Sequence, residues 1–338
     1  MLRAALGLPG AVGKTVRVTT FHYADPPILL EDLIDDLDDV ARLFERNAPY
    51  TPLGGWFMPK HEGDVATSPM WFQKDWVHAG VAVAGSDLFF RHERVIEAAR
   101  EFYDAEVVVP HTIYVNLMAA IAECGPAHTD NPVFRGRNRT NTPMMVLRSM
   151  LWSGLFERWA ITQATSIWWM NDVEGGGLSY WPEGPGKPPA HHAGRVANTA
   201  LVGDNHGMFH QVEPVGPFDA GTVRVSPEAE LGPAVDGSGD WVVIDGGEER
   251  FRAPFGEYRA SVLWKADIYS TEEERRRVEH DTLSLETVAK IFNDDLAGRG
   301  ADSRFELERI DDPGLIGELG AVYPEDVPVG AGTSMFEV

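Results

Sequence analysis

The chain has 338 residues, with 29 Lys+Arg against 52 Asp+Glu and a formal charge of −23 at pH 7. Nucleic acids and anionic membranes are held through Lys and Arg, so this charge excludes both as expected partners. A hydrophobic fraction of 43% beside 24% charged residues is that of a globular protein, not of a disordered acidic tail.

The first ten residues, Met1 to Gly10, hold one cation and a short apolar run broken by Gly7 and Pro9. This reads against a secretory leader, and the single cysteine, Cys124, rules out an intramolecular disulfide and fits a reducing, cytoplasmic setting. No run approaches the ~18 apolar residues of a membrane span. Gly13-Lys-Thr15 invites a phosphate-loop reading, but the position where that pattern needs its first glycine is Leu8.

Leu30, Leu33, Ile34, Leu37, Ala41 and Phe44 have helical spacing and predict an amphipathic helix over 28–44, with intervening aspartates on its solvated face. A second helix is expected from Ser86 to about Tyr103. From 106 to about 270 the texture is β, with expected strands at 107–109, 112–118, 165–170, 178–181, 199–202, 209–215, 241–244 and 259–269. One helix, around Met144–Trp159, interrupts them. The stretch 215–253 reads as an inserted loop and a hairpin turning at Asp245-Gly-Gly247. Thr271-Glu-Glu-Glu274 is a capping box. Leu285, Val288, Phe292 and Leu296 stripe a further helix closing near Gly298, and the tail from about Asp311 is expected as loop. The sum is one α+β domain: 1–105 mainly helical, a β core over 106–270 with an insertion at about 217–254, and a helical part and tail over 271–338.

The chemistry concentrates in Gly125-Pro-Ala-His128-Thr-Asp130. On a strand, residues i and i+2 share a face, so His128 and Asp130 point into one space. An imidazole and a carboxylate side by side are two ligands for a divalent metal. A second histidine would complete the two-His, one-carboxylate set that leaves one face of the ion open. His210 opens the strand Phe209-His-Gln-Val-Glu and lies with Val212 on the face opposite Phe209, Gln211 and Glu213, which makes it the best third ligand. His206, in Asp204-Asn-His-Gly207, is the runner-up. Arg259 and Ser261 share a strand face with Lys265, and a guanidinium there suits an anionic co-substrate. The opposite reading, with Val262 and Trp264 inward and the polar residues outward, is equally open from this segment.

His128-Thr-Asp130, Gly175-Gly-Gly-Leu178, Tyr180-Trp-Pro182, His210-Gln-Val212 and Arg259-Ala-Ser261 follow one another in order. Together they resemble the iron(II)/2-oxoglutarate-dependent dioxygenase superfamily, in particular its small-molecule hydroxylases and tailoring oxygenases, over roughly residues 110–270. The resemblance implies a double-stranded β-helix (a jelly-roll, cupin-like core) buttressed by N- and C-terminal helices. It implies Fe(II) on His128, Asp130 and His210, and 2-oxoglutarate anchored by Arg259 with Ser261 and, at its other carboxylate, by Asn116. O2 is then consumed, succinate and CO2 are released, and a small molecule is hydroxylated, desaturated or cyclised. Arg259 lies 49 residues beyond His210, a longer gap than the motif usually has. The insertion accounts for it, and without that insertion Arg224 is the competing anchor. Arg135, Arg137, Arg139 and Arg148 gather cations near the expected mouth and suggest a carboxylate-bearing substrate, or else ion pairs with the surplus acids. Trp168, Trp169 and Tyr180 are candidate pocket walls, Trp168 foremost. The same ligands also leave open a metal-dependent isomerase or lyase, and a non-catalytic metal-binding sensor.

Overall fold

The computed structural model describes residues 22–53, 67–122, 124–216 and 223–328. The leader-like start and the Gly13-Lys-Thr15 segment lie outside them. The chain opens with strand β1 (Ile28–Glu31) and helix α1 (Leu37–Arg46). Strands β2 (Thr51–Pro52), β3 (Ser68–Pro69), β4 (Trp71–His78) and β5 (Val81–Ala82) follow, then helices α2 (Asp87–Phe90) and α3 (Glu93–Tyr103). The middle of the chain holds β6 (Val107–Met118), helix α4 (Met144–Ser153), β7 (Gln163–Trp169), β8 (Leu178–Trp181), β9 (Ala190–His192), β10 (Thr199–Gly203) and β11 (Phe209–Val212). Beyond it come β12 (Arg224–Val225), β13 (Glu230–Pro233), β14 (Asp240–Asp245), β15 (Glu248–Pro254) and β16 (Arg259–Tyr269). Helices α5 (Glu272–Val278), α6 (Leu285–Arg299) and α7 (Pro313–Val322) end the described chain. No helix among the described residues is long and apolar enough to cross a membrane.

The architecture is mixed α and β with antiparallel sheets. The main sheet runs β1-β10-β7-β16-β6-β4-β2, with β5 on β4, and a three-stranded sheet runs β11-β8-β9. β16 lies at the centre of the main sheet, paired along its length with β6 and over Ser261–Asp267 with β7, and is buried throughout on one face and buried to half-buried on the other. Ala260, Val262, Trp264 and Ala266 pack with Val115, Leu117 and Trp168 beneath α1, α2 and α3, through Val40, Phe44, Phe89 and Val95. Fully burying a side chain of this size contributes about 1.5–3 kcal/mol, so this layer is the main store of stability. On the opposite face, Ile167, Trp169, Leu201 and Leu263 meet Leu178 and Val212 of the smaller sheet. Two sheets therefore face one another, and the two readings of the Arg259 segment are both half right: Val262 and Trp264 go under the helices, Arg259 and Ser261 between the sheets.

Three expected elements are corrected. Residues 28–31 are a strand on β10, not the start of a helix. Asp32 takes a left-handed backbone (φ 51°), Arg94 donates to the Glu31 and Asp32 carbonyls, and the Asn198 side chain accepts from the Leu33 and Ile34 amides. The helix begins only where Asp36 caps the Asp38 and Asp39 amides. The expected 86–103 helix is two, because His92 adopts an extended backbone and bonds the Leu33 carbonyl. The expected loop from about Asp311 holds a helix over Pro313–Val322: Asp312 caps the Gly314 amide, Pro313 takes the first turn, and Leu315 and Leu319 bury against the α4 cluster. Smaller shifts follow the same logic. Gly154 (φ 65°) stops α4 at Ser153, and α6 ends at Gly300 instead of Gly298. The 240–254 hairpin turns at Gly246-Gly247, both with positive φ, as its sequence requires.

Candidate metal centre

His128 and His210 face each other across an antiparallel bridge, each amide donating to the other's carbonyl (3.0 and 2.9 Å). Their rings lie 4.6 Å apart between centroids. Each ring presents Nδ1 to a carbonyl two residues earlier, Pro126 at 3.0 Å and Met208 at 3.1 Å. A carbonyl only accepts, so both Nδ1 atoms carry the proton, and both Nε2 atoms keep a free lone pair. The Asp130 amide is anchored on the Asn205 carbonyl (2.7 Å), and Asp130 Oδ1 lies 3.7 Å from His210 Nε2. One ligand atom from each of His128, Asp130 and His210 lies within 4.8 Å of the others, the one such grouping among the described residues.

The protonation states suit a cation. Burial, helped by neighbouring His210, pushes the His128 imidazole down to about 4. Burial also lowers His210, against the pull of Asp130. For Asp130 burial works the other way, but the Lys265 ammonium and the His210 and His206 rings outweigh it and hold the carboxyl well below its ordinary range. Two neutral imidazoles and one carboxylate are the deprotonated donors that a divalent metal needs, so the residues fit the ion the motif implies. His206 stays outside the set, because its Nε2 bonds the Asn131 carbonyl at 3.0 Å.

A second feature lies along β16. Arg259 is 2% exposed, yet no carboxylate pairs with it among the described residues. Its Nε donates to the Gly176 carbonyl (2.5 Å), its Nη1 to Ser261 Oγ (2.9 Å), and the guanidinium sits 5.5 Å from the Trp169 ring centre. Burial pulls its pKa down to about 10, still charged at neutral pH. Asn116 pairs in register with Ser261 from β6, its Oδ1 accepting from Trp71 Nε1 at 3.1 Å. The Gly175-Gly-Gly segment has a steric reason here. A Cβ on Gly175 meets the Pro214 carbonyl oxygen at 2.1 Å, one on Gly176 meets Arg259 Cδ at 3.0 Å, and both glycines have positive φ.

Other expected residues lie elsewhere. Arg224 is exposed at the edge of β12 and bonds Thr67, far from the role of anchor. Arg135 bonds Asp281, Arg137 bonds the Leu283 carbonyl, and Arg148 is buried against Glu325 and the Thr129 carbonyl. The structure therefore spends these three cations on its own contacts, against the expectation that they receive a substrate. Trp168 lies on the helix-covered face, edge-on to Phe89 and His92, so it is core and not pocket wall. Its neighbour Trp169 faces the site, and Tyr180 pairs in register with His210. Lys265, whose Nζ lies 2.7 Å from Asp130 Oδ2, is the site residue underrated in sequence; its shared parity with Arg259 was the available signal.

No protein-family model matches the chain, and no curated protein matches it. Solved structures that resemble it include an oxidoreductase of the 2OG-Fe(II) oxygenase family from Burkholderia pseudomallei, with 10% identity and a TM-score of 0.39 over 72% of this chain and 85% of that one. A prolyl hydroxylase in complex with a hypoxia inducible factor peptide fragment from Trichoplax adhaerens gives 9%, 0.38, 75% and 87%. A Pseudomonas putida prolyl-4-hydroxylase gives 12%, 0.35, 72% and 94%.

Proposed function

We propose that this protein is an iron(II)/2-oxoglutarate-dependent oxygenase that oxidises a small molecule, and that its two facing sheets are a double-stranded β-helix. The observation that carries this reading is the pairing of a two-His, one-carboxylate grouping with a buried guanidinium that no carboxylate among the described residues neutralises. A buried charge left unpaired costs several kcal/mol, and a fold tolerates it where a ligand completes the pair. A metal-dependent isomerase or lyase without an anionic co-substrate has no use for Arg259.

In this reading Nε2 of His128 and of His210 and one oxygen of Asp130 hold the iron. Arg259, steadied by Ser261 and the Gly176 carbonyl, receives the distal carboxylate of 2-oxoglutarate, and the Asn116 amide serves the carboxylate nearer the metal. The bound iron and 2-oxoglutarate supply O2-dependent oxidation, with succinate and CO2 as by-products. Trp169, Leu263 and Met118 wall this space with apolar surface and keep water from it. An anionic substrate is part of the proposal, with the exposed Arg139 as the cation offered to it.

Anaerobic addition of Fe(II) and then 2-oxoglutarate should raise a weak visible charge-transfer band, absent in His128→Ala. With O2 and a substrate, succinate should accumulate. A wild-type protein that gives neither band nor succinate overturns the proposal.

A further inference from the structure

The two oxygens of Asp130 face different partners. Oδ1 lies on the side of His210 Nε2, at 3.7 Å, whereas Oδ2 bonds Lys265 Nζ at 2.7 Å. Both side chains are largely enclosed, 15% and 17% exposed, so the pair is not a mobile surface contact. Lys265 is aimed by the sheet. β16 sets it opposite Thr165 of β7 in unbroken register, and directly after it the ladder to β6 slips, with His111 left out of the pairing. Among the described residues its ammonium bonds Asp130 alone, on the oxygen turned away from His210.

We propose that Lys265 is a positioning residue that holds Asp130 to one-oxygen ligation, so that a divalent metal and a bidentate, anionic co-substrate share the site. This rests on the reading of the centre given above. Released from Lys265, the carboxylate is free to offer both oxygens to the metal and to fill a position that the co-substrate's two donor atoms need. The ammonium also leaves a positive charge beside the site, which opposes the metal and favours the dianion. Loss of the lysine therefore moves two affinities in opposite directions, whereas a residue needed only for packing would weaken both.

The test uses the full chain with Lys265→Met and Lys265→Arg, thermal unfolding serving as the check on folding. Mn(II) binding is followed by the electron paramagnetic resonance of the free ion. 2-Oxoglutarate binding to the Mn(II)-loaded protein is followed by calorimetry. Lys265→Met should bind Mn(II) at least as tightly as wild type and 2-oxoglutarate about tenfold or more weakly, while Lys265→Arg stays close to wild type in both. Weakening of both ligands, of Mn(II) alone, or of neither overturns the role given to Lys265. A wild-type protein that binds no Mn(II) or no 2-oxoglutarate instead removes the reading of the centre, and this role with it.

Discussion

Arg259 and Arg148 are buried to the same degree, 2% and 3% exposed, and are opposite in what surrounds them. Arg148, on the helical flank, meets the Glu325 carboxylate through Nε (3.0 Å) and Nη2, with the Thr129 carbonyl on Nη1. Arg259, between the sheets, has a hydroxyl, a carbonyl and an aromatic face but, among the described residues, no acid. The first charge arrives with its counter-ion and ties α4 to the C-terminal segment. The second is held ready by neutral groups, and a cation over an aromatic ring recovers only about 0.5–2 kcal/mol of its desolvation. Equal burial thus goes with a paired charge in one place and, among the described residues, an acid-free one in the other, which is the ligand seat of our proposal.

The largest expected effect separates the two directly. Arg259→Met should raise the dissociation constant of 2-oxoglutarate for the metal-loaded protein about 100-fold, because a buried anion then lacks its charged partner. The metal-free variant should be no less stable in urea than wild type, since an apolar chain replaces an unpaired charge. Unchanged 2-oxoglutarate binding breaks the comparison at its first term. Arg148→Met should do the reverse, costing about 2 kcal/mol in urea unfolding with 2-oxoglutarate affinity within about twofold of wild type. The figure is held below that of a fully buried pair because Glu325 reaches solvent, 22% exposed. A large loss of co-substrate affinity in Arg148→Met would make it part of the site after all.

The sequence made the ligand triad legible because a strand's period of two assigns His128 and Asp130, and separately His210, to definite faces. The same rule failed at Trp168 and Trp169, since every residue of β7 is buried and burial on both faces erases alternation. For Arg135 and Arg148 the sequence leaves substrate binding and ion pairing both open, because their acids, Asp281 and Glu325, lie 146 and 177 residues along the chain. Arg259 is the anchor expected from sequence with Arg224 as its competitor, and the fold sets the first between the sheets and the second exposed at an edge. Leu30, Leu33 and Leu37 suit a helix by spacing, and only the distant Arg94 and Asn198 side chains divert the backbone before Asp36. For α7 the signal was present in Asp312-Pro313, a cap followed by a first-turn proline, but the surrounding glycines and acids masked it.

The smallest effect probes the metal end, where the comparison turns from paired and unpaired charges to charges kept off. Burial, with His210 beside it, holds His128 at about 4, against about 6.5 in an unfolded chain. Between these values the unfolded chain binds a proton that the folded protein refuses, so the metal-free protein loses stability as pH falls through that window and keeps it fully above. At about pH 5.5 His128 alone should account for a loss on the order of 1 kcal/mol relative to neutral pH. Urea unfolding of wild type and His128→Asn at the two pH values reads this out, and the asparagine variant should show the smaller drop. Arg259→Met should keep the wild-type slope, since burial leaves that guanidinium at about 10 and charged across the window. A slope unchanged in His128→Asn would mean that the imidazole is not held neutral, and the ligand-ready state of the centre would fall with it.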